Sequence, residues 1–178
     1  MQVYSVFFEL LEKYNKKLIF YPHRNMQKYL DCFENNSSRI TIANSKDYDV
    51  QSLLKSSALM VTDYSSVFFD FAYMKKPIVF YQFDEKKFRE YQYSEGYFSY
   101  KTNGFSKWAD NLNDTLECLN EYLQSNLELE NKEALKNNII SFFKQRLKGI
   151  FQGKYQTDII DAALNEMEQL QLEKEKAE

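Results

Sequence analysis

Glycine and proline are scarce in this chain, with four and two among 178 residues. So few glycines exclude a glycine-rich phosphate loop, and any bound anion must be held another way. There is a single histidine, and the two cysteines, Cys32 and Cys118, stand far apart with no Cys or His at metal-ligand spacing. That pattern excludes a zinc site and a disulfide framework and suits two reduced thiols. A basic excess is also missing: the net charge is −3, which speaks against a nucleic-acid partner. No apolar stretch approaches the roughly 20 residues of a membrane span, and residues 1–20 lack a signal-peptide pattern. The expected location is the cytoplasm, or at most a membrane surface.

Aromatic residues are plentiful, with fourteen Tyr and fifteen Phe. A chain of this length and apolar content can fill one domain and bury a large area.

Hydrophobic spacing divides the chain into alternating elements. Val3, Phe7, Leu10, Leu11 and Tyr14 recur at helical spacing and precede a basic end at Lys16 and Lys17, which predicts a helix over 3–14. Leu18–Tyr21 is a short apolar strand closed by Pro22. A short helix over 26–33 and a strand over 39–43 follow. Asp49 is a candidate N-cap for a helix over 50–57, and Ala58–Val61 is a strand that ends at Thr62. Residues 66–75 read as a buried helix, and Pro77 opens a strand over 78–81. Four strands alternating with helices predict parallel βαβ units in an α/β domain.

Residues 85–104, rich in Tyr and Phe, read as a structured loop. Helices are predicted over 106–123, 132–148 and 157–172, with a disordered tail at 173–178. The division expected is a Rossmann-like domain over 1–125 with C-terminal helices over 126–172 packed on it. The series opens on a helix with no strand before it, so the first strand is expected to lie outside the chain.

The stretch with most chemistry is Val61-Thr62-Asp63-Tyr64-Ser65-Ser66-Val67-Phe68-Phe69-Asp70. A buried parallel strand runs into hydroxyl and acidic residues and then directly into a helix. Ligands of open α/β sheets bind beyond the carboxyl ends of the strands. Thr62, Ser65 and Ser66 can add donors to the unpaired N–H groups of a helix start, which makes an anion site without glycine or lysine. Ser65 or Ser66 could equally serve as a plain helix cap. Both roles are compatible.

His23 follows directly on a strand and faces the same sheet edge, as a candidate catalytic residue or an ordinary surface histidine. Arg24 beside it is a second candidate for phosphate. Asp70, read as sitting in a buried helix, needs a partner there and is expected to support the loop. Phe88, Tyr91, Tyr93, Tyr97, Phe98 and Tyr100 could stack a nucleotide base or simply pack. Lys144, Arg146, Lys148 and Lys154 leave a peripheral contact with anionic lipid open, although a solvated helix face explains them as well.

The run from Leu53 through Ala72, with Lys76-Pro77-Ile78-Val79-Phe80-Tyr81 after it, resembles the CDP-glycerol glycerophosphotransferases. These are the teichoic acid primases and polymerases of Gram-positive bacteria, with relatives in capsule synthesis. The likeness is dense over 50–84 and thinner across the rest of 15–125. It implies the C-terminal, donor-binding half of a two-domain GT-B transferase that passes glycerol phosphate, or a related polyol phosphate, from CDP to a polymer and releases CMP. It assigns donor phosphate contacts to Thr62, Ser65 and Ser66 and phosphate handling to His23, with Asp63 and Tyr64 shaping the turn.

The family's N-terminal domain, which holds the acceptor site and another histidine, has no counterpart in the chain. The chain alone is therefore expected to be inactive. Glu95-Gly96-Tyr97-Phe98 departs from the family's R-G-F-Y-F element, Asn103-Gly104-Phe105 from its P-G-P segment, and Lys148–Gly153 from its last motif. No metal or other cofactor is expected. A nucleotide-sugar glycosyltransferase of GT-B type and a non-catalytic binding module are the alternatives.

Overall fold

The computed structural model describes residues 2–33, 37–91, 99–101, 106–129 and 141. Contacts divide the chain into Met1–Glu130 and Asn131–Glu178, and the elements below belong to the first unit. They run α1 (Gln2–Lys13), β1 (Leu18–Phe20), the 3-10 helix η1 (Arg24–Cys32), β2 (Ile40–Ile42), α2 (Val50–Ser56), β3 (Met60–Thr62), α3 (Phe68–Tyr73), β4 (Ile78–Tyr81), α4 (Glu85–Tyr91), β5 (Lys107–Ala109) and α5 (Leu112–Gln124). This is an α/β architecture in which every strand pair is parallel.

The strands form two hydrogen-bonded groups, β1-β2 and β3-β4-β5. Strand β4 is the centre of the larger one, and Ile78, Val79 and Phe80 are all fully buried. Side chains of a strand alternate between its faces. Phe80 therefore meets Phe68 of α3 edge-on at 5.0 Å. Val79 turns the other way and packs with Leu116, Leu119 and Tyr122 of α5, joined there by Phe7 and Leu10 of α1. Helices thus cover both faces, which is why β4 reads as an unbroken apolar run.

Scarce glycine shows in how helices end. In α1, α3 and α5 the residue past the last turn adopts positive φ: Asn15 (48°), Lys75 (57°) and Asn126 (53°). Each end carries the paired bonds of a Schellman motif. At α3, the Lys75 N–H donates to Ala72 O at 2.8 Å and the Lys76 N–H to Phe71 O at 3.4 Å. Left-handed backbone costs a lysine about 1 kcal/mol that glycine avoids. Lys75→Gly is therefore expected to raise stability by about 0.5–1 kcal/mol, read as a higher urea midpoint at unchanged slope.

Several expectations need correction. Residues 85–91 are helix α4 rather than loop. The helix expected over 106–123 is strand β5 followed by α5, which starts at Leu112 because Asn111 caps it, its side chain accepting from the Asp114 N–H. The segment expected as a helix over 26–33 is 3-10 from Arg24, with Tyr29 off helical geometry. Helix α3 is six residues long and shorter at both ends than 66–75. The helices expected at 132–148 and 157–172, the tail at 173–178 and Lys144, Arg146, Lys148 and Lys154 lie outside the described residues. Among the described residues, no helix is long and apolar enough to cross a membrane.

Candidate functional site

Strand β3 ends at Thr62 and α3 begins at Phe68, so residues 63–67 form a loop at the carboxyl edge of a parallel sheet. Two braces hold it. From beneath, Gln82 (1% exposed) donates its amide N–H to Asp63 O at 3.1 Å and accepts from the Trp108 indole N–H at 2.9 Å. From the side, the Tyr64 ring lies flat on Phe88 of α4, centroids 3.6 Å apart, and its hydroxyl donates to Asp84 Oδ1 at 3.1 Å.

Burial first, and the Asp84 carboxylate second, push the Tyr64 phenol well above its ordinary range, so it stays protonated and remains a donor. The hydroxyl of Tyr100, itself raised by burial, donates to Tyr64 O at 3.4 Å. Tyr64→Phe keeps the ring stack and loses one hydrogen bond to a carboxylate. The expected cost is about 1–2 kcal/mol, measured by thermal unfolding beside the parent chain.

The hydroxyls above these braces are differently placed. Thr62 and Ser65 are half-buried and Ser66 is exposed. No described residue hydrogen-bonds their side chains. The cap position of α3 falls on Val67, with no side-chain cap bond, so neither serine takes the capping role. The helix start offers less than the sequence suggested. The Phe68 N–H already points to Ser65 O (3.5 Å) and the Phe69 N–H to Ser66 O (3.2 Å), and a six-residue helix sums few peptide dipoles. Donor capacity at this corner therefore rests on the three alcohols together with the Ser65, Ser66 and Val67 N–H groups, which make no described hydrogen bond.

His23 sits at the carboxyl end of β1 and caps η1. Its Nδ1 accepts the Asn25 N–H at 3.3 Å. A neutral imidazole whose Nδ1 accepts carries its proton on Nε2, so the exposed ring offers one N–H. Arg24, next along and exposed, begins η1. No described hydrogen bond or ion pair ties either residue to 62–66.

Asp63 joins the Gln82 brace through its main-chain carbonyl while its side chain is exposed, and Asp70 is exposed too. The expectation of a buried Asp70 was wrong because the α3 surface at that position faces outward, away from Phe68, Phe71 and Ala72. Of the aromatic run, Phe88 packs on Tyr64, and Tyr100 packs edge-on against Phe80 at 4.9 Å. Tyr93, Tyr97, Phe98, Gly96 and Gly104 lie outside the described residues. Among the described residues, no three His, Cys, Asp or Glu side chains gather as metal ligands would.

Sequence reading missed Gln82, Asp84 and Trp108. A polar residue directly after the buried strand Ile78–Tyr81 was the available signal for Gln82, since such a group needs partners.

The sequence profile of the CDP-Glycerol:Poly(glycerophosphate) glycerophosphotransferase family matches residues 4–145. The chain is 34% identical over 137 residues to the minor teichoic acid biosynthesis protein GgaB of Bacillus subtilis (strain 168), covering 76% of this chain and 14% of that protein. It is 33% identical over 73 residues to the teichoic acid poly(glycerol phosphate) polymerase of the same strain, covering 41% and 10% of the two chains. To the polymerase of that name from Bacillus spizizenii it is 50% identical over 42 residues, 24% of this chain and 11% of that one. The chain thus spans a small part of the relatives it matches.

Proposed function

The chain belongs to the CDP-glycerol:poly(glycerophosphate) glycerophosphotransferase family, and from that premise we propose that it is the donor-binding part of a GT-B transferase that passes a polyol phosphate from CDP to a teichoic acid polymer. One observation carries this reading. Three alcohols, Thr62, Ser65 and Ser66, stand at the carboxyl edge of a parallel sheet on a loop braced by Gln82 and Tyr64, and no described residue occupies them.

In the proposed reaction an acceptor hydroxyl attacks the donor's β-phosphate. A phosphodiester bond forms, the anhydride bond to the α-phosphate breaks, and CMP leaves. The acceptor proton passes to a general base other than the residues that bind the donor. Thr62, Ser65 and Ser66 donate to phosphate oxygens, His23 donates from Nε2, and Arg24 adds positive charge. Donors fixed before the charge develops are worth several kcal/mol in a site shielded from water. The reading calls on no metal or cofactor, and it assigns neither acceptor chemistry nor membrane contact to these residues.

Calorimetric titration with CDP-glycerol, CDP-ribitol and a UDP-sugar tests it. The expected result is binding of at least one CDP-polyol and none of the UDP-sugar. Preference for the UDP-sugar would favour a nucleotide-sugar glycosyltransferase, and failure of every donor to bind would leave a non-catalytic module.

A further inference from the structure

Helix α4 keeps Glu85, Phe88 and Arg89 partly covered and leaves Lys86 and Lys87 exposed. Phe88 spends its covered position on the Tyr64 ring. Arg89 has no comparable use. Its Nε is buried without a hydrogen-bond partner, and its one ion pair among the described residues is a 4.0 Å approach to Glu85, one turn back on the same helix. Glu85 is already engaged, because its other oxygen lies 3.3 Å from the Lys101 ammonium. A guanidinium carries five N–H donors in a fixed fork and keeps its charge at every relevant pH. The Arg89 side chain is only 22% exposed, so water cannot serve all of them. Buried polar groups in native proteins are nearly always satisfied, and an exception calls for an acceptor.

Tyr100 shows where that head lies. Its hydroxyl donates to Tyr64 O at 3.4 Å. Burial raises the Tyr100 phenol, the Arg89 guanidinium works against that rise, and the Asp63 carboxylate adds to it. Arg89 is thus close to the side chain that touches the loop one residue before Ser65. The rest of the charge around this loop is negative. Besides burial and the Asp84 hydrogen bond, the Tyr64 phenol feels the carboxylates of Asp84, Glu85 and Asp63. A phosphate placed on the hydroxyls of Ser65 and Ser66 meets those three like charges. The described cations beside them are Lys101 and Arg89. Lys101 is held by Glu85 and by the face of the Trp108 ring, 3.8 Å from its centroid. Arg89 is the cation left to balance the site.

We propose that Arg89 is a donor phosphate-binding residue, whose guanidinium leaves Glu85 and takes oxygens of the phosphate held by Thr62, Ser65 and Ser66. The fork of an arginine matches two phosphate oxygens at once, and such charge-assisted pairs are shorter and stronger than neutral ones. What is given up is one 4.0 Å contact with a carboxylate that keeps its lysine. The role rests on the donor reading of residues 62–66, and its failure can be told from the failure of that reading.

The chain has four arginines, so their Nε–H signals are few enough to assign by NMR, with Arg89→Met identifying one of them. Titration with CDP-glycerol is expected to shift the Arg89 Nε–H signal of the parent chain and to slow its exchange with water. Arg89→Met keeps the apolar stem and removes the unpaired donor. It is expected to bind CDP-glycerol at least about tenfold more weakly, while unfolding at the parent's temperature or above it. Arg89→Lys keeps the charge without the fork, and its affinity should fall between the two. A purely structural arginine would not lose affinity while stability is kept. Undiminished affinity in Arg89→Met, with the parent's Arg89 signal unmoved by the ligand, would overturn the role and leave the donor reading standing. Equal losses of affinity and stability would overturn it as well. A parent chain that binds no CDP-linked donor would overturn both.

Discussion

Replacing Gln82 with leucine is expected to lower the stability of the domain by about 2–4 kcal/mol. The shapes are similar and leucine suits a buried position, so burial alone predicts little change or a gain. The loss comes from the partners. Asp63 O loses its 3.1 Å donor, and the Trp108 indole N–H loses its 2.9 Å acceptor. Each buried group left unpaired costs about 1–3 kcal/mol. Because Asp63 is an exposed residue and Trp108 only half-buried, water recovers part of that cost and the sum stays below its upper limit. Gln82→Glu separates the two bonds: it can still accept from Trp108, loses the donor to Asp63 and places a charge in the core. Its cost should be at least as large at pH 7 and shrink as the carboxyl is protonated in acid. Urea midpoints at pH 7 and pH 4 measure both effects. A Gln82→Leu chain as stable as the parent would show that the loop stands without this brace.

The second large effect concerns ligand affinity. A chain carrying Thr62→Val, Ser65→Ala and Ser66→Ala is expected to lose CDP-glycerol affinity by about a hundredfold or more while unfolding within a few degrees of the parent. The stability expectation follows from geometry, because no described residue hydrogen-bonds these hydroxyls and Val67, not a serine, holds the cap position. The affinity expectation follows from three hydrogen bonds to a charged phosphate, each worth about 1.5–3 kcal/mol and not fully additive. About 2.8 kcal/mol already corresponds to a hundredfold. Calorimetry paired with thermal unfolding checks both halves. An equal loss of stability and affinity would mean that the hydroxyls hold the loop rather than a ligand.

The comparison of sequence with structure turns on particular elements. Strands β1 and β4 were legible because each is an apolar run beside a proline, Pro22 after the first and Pro77 before the fourth, and β2 and β3 from the short largely apolar stretches Ile40–Ala43 and Ala58–Val61. Their parallel pairing followed from the helices between them. Strand β5 was not legible. Its three residues Lys107-Trp108-Ala109 carry no alternation long enough to read, and the helical spacing of α5 extends into them. Helix α4 was hidden because Phe88 and Tyr91 dominate a charged segment, and its apolar contact, the Tyr64 ring, lies 24 residues away in sequence.

At the candidate site, the hydroxyl cluster and its position after a strand were readable. Its supports were not, since the bonds from Gln82 and Tyr64 span 19 and 20 residues. The contribution of the helix start was overstated, because sequence spacing does not reveal that the Phe68 and Phe69 N–H groups turn back to Ser65 and Ser66.

The most direct test is a titration of the isotope-labelled chain with CDP-glycerol, followed by amide NMR. The account predicts the largest shifts at Asp63–Phe68, with a second set at His23–Asn25. Shifts confined to the cleft between α1 and α5, around Val6, Leu10, Lys13 and Leu116, with residues 62–68 unmoved, would contradict it.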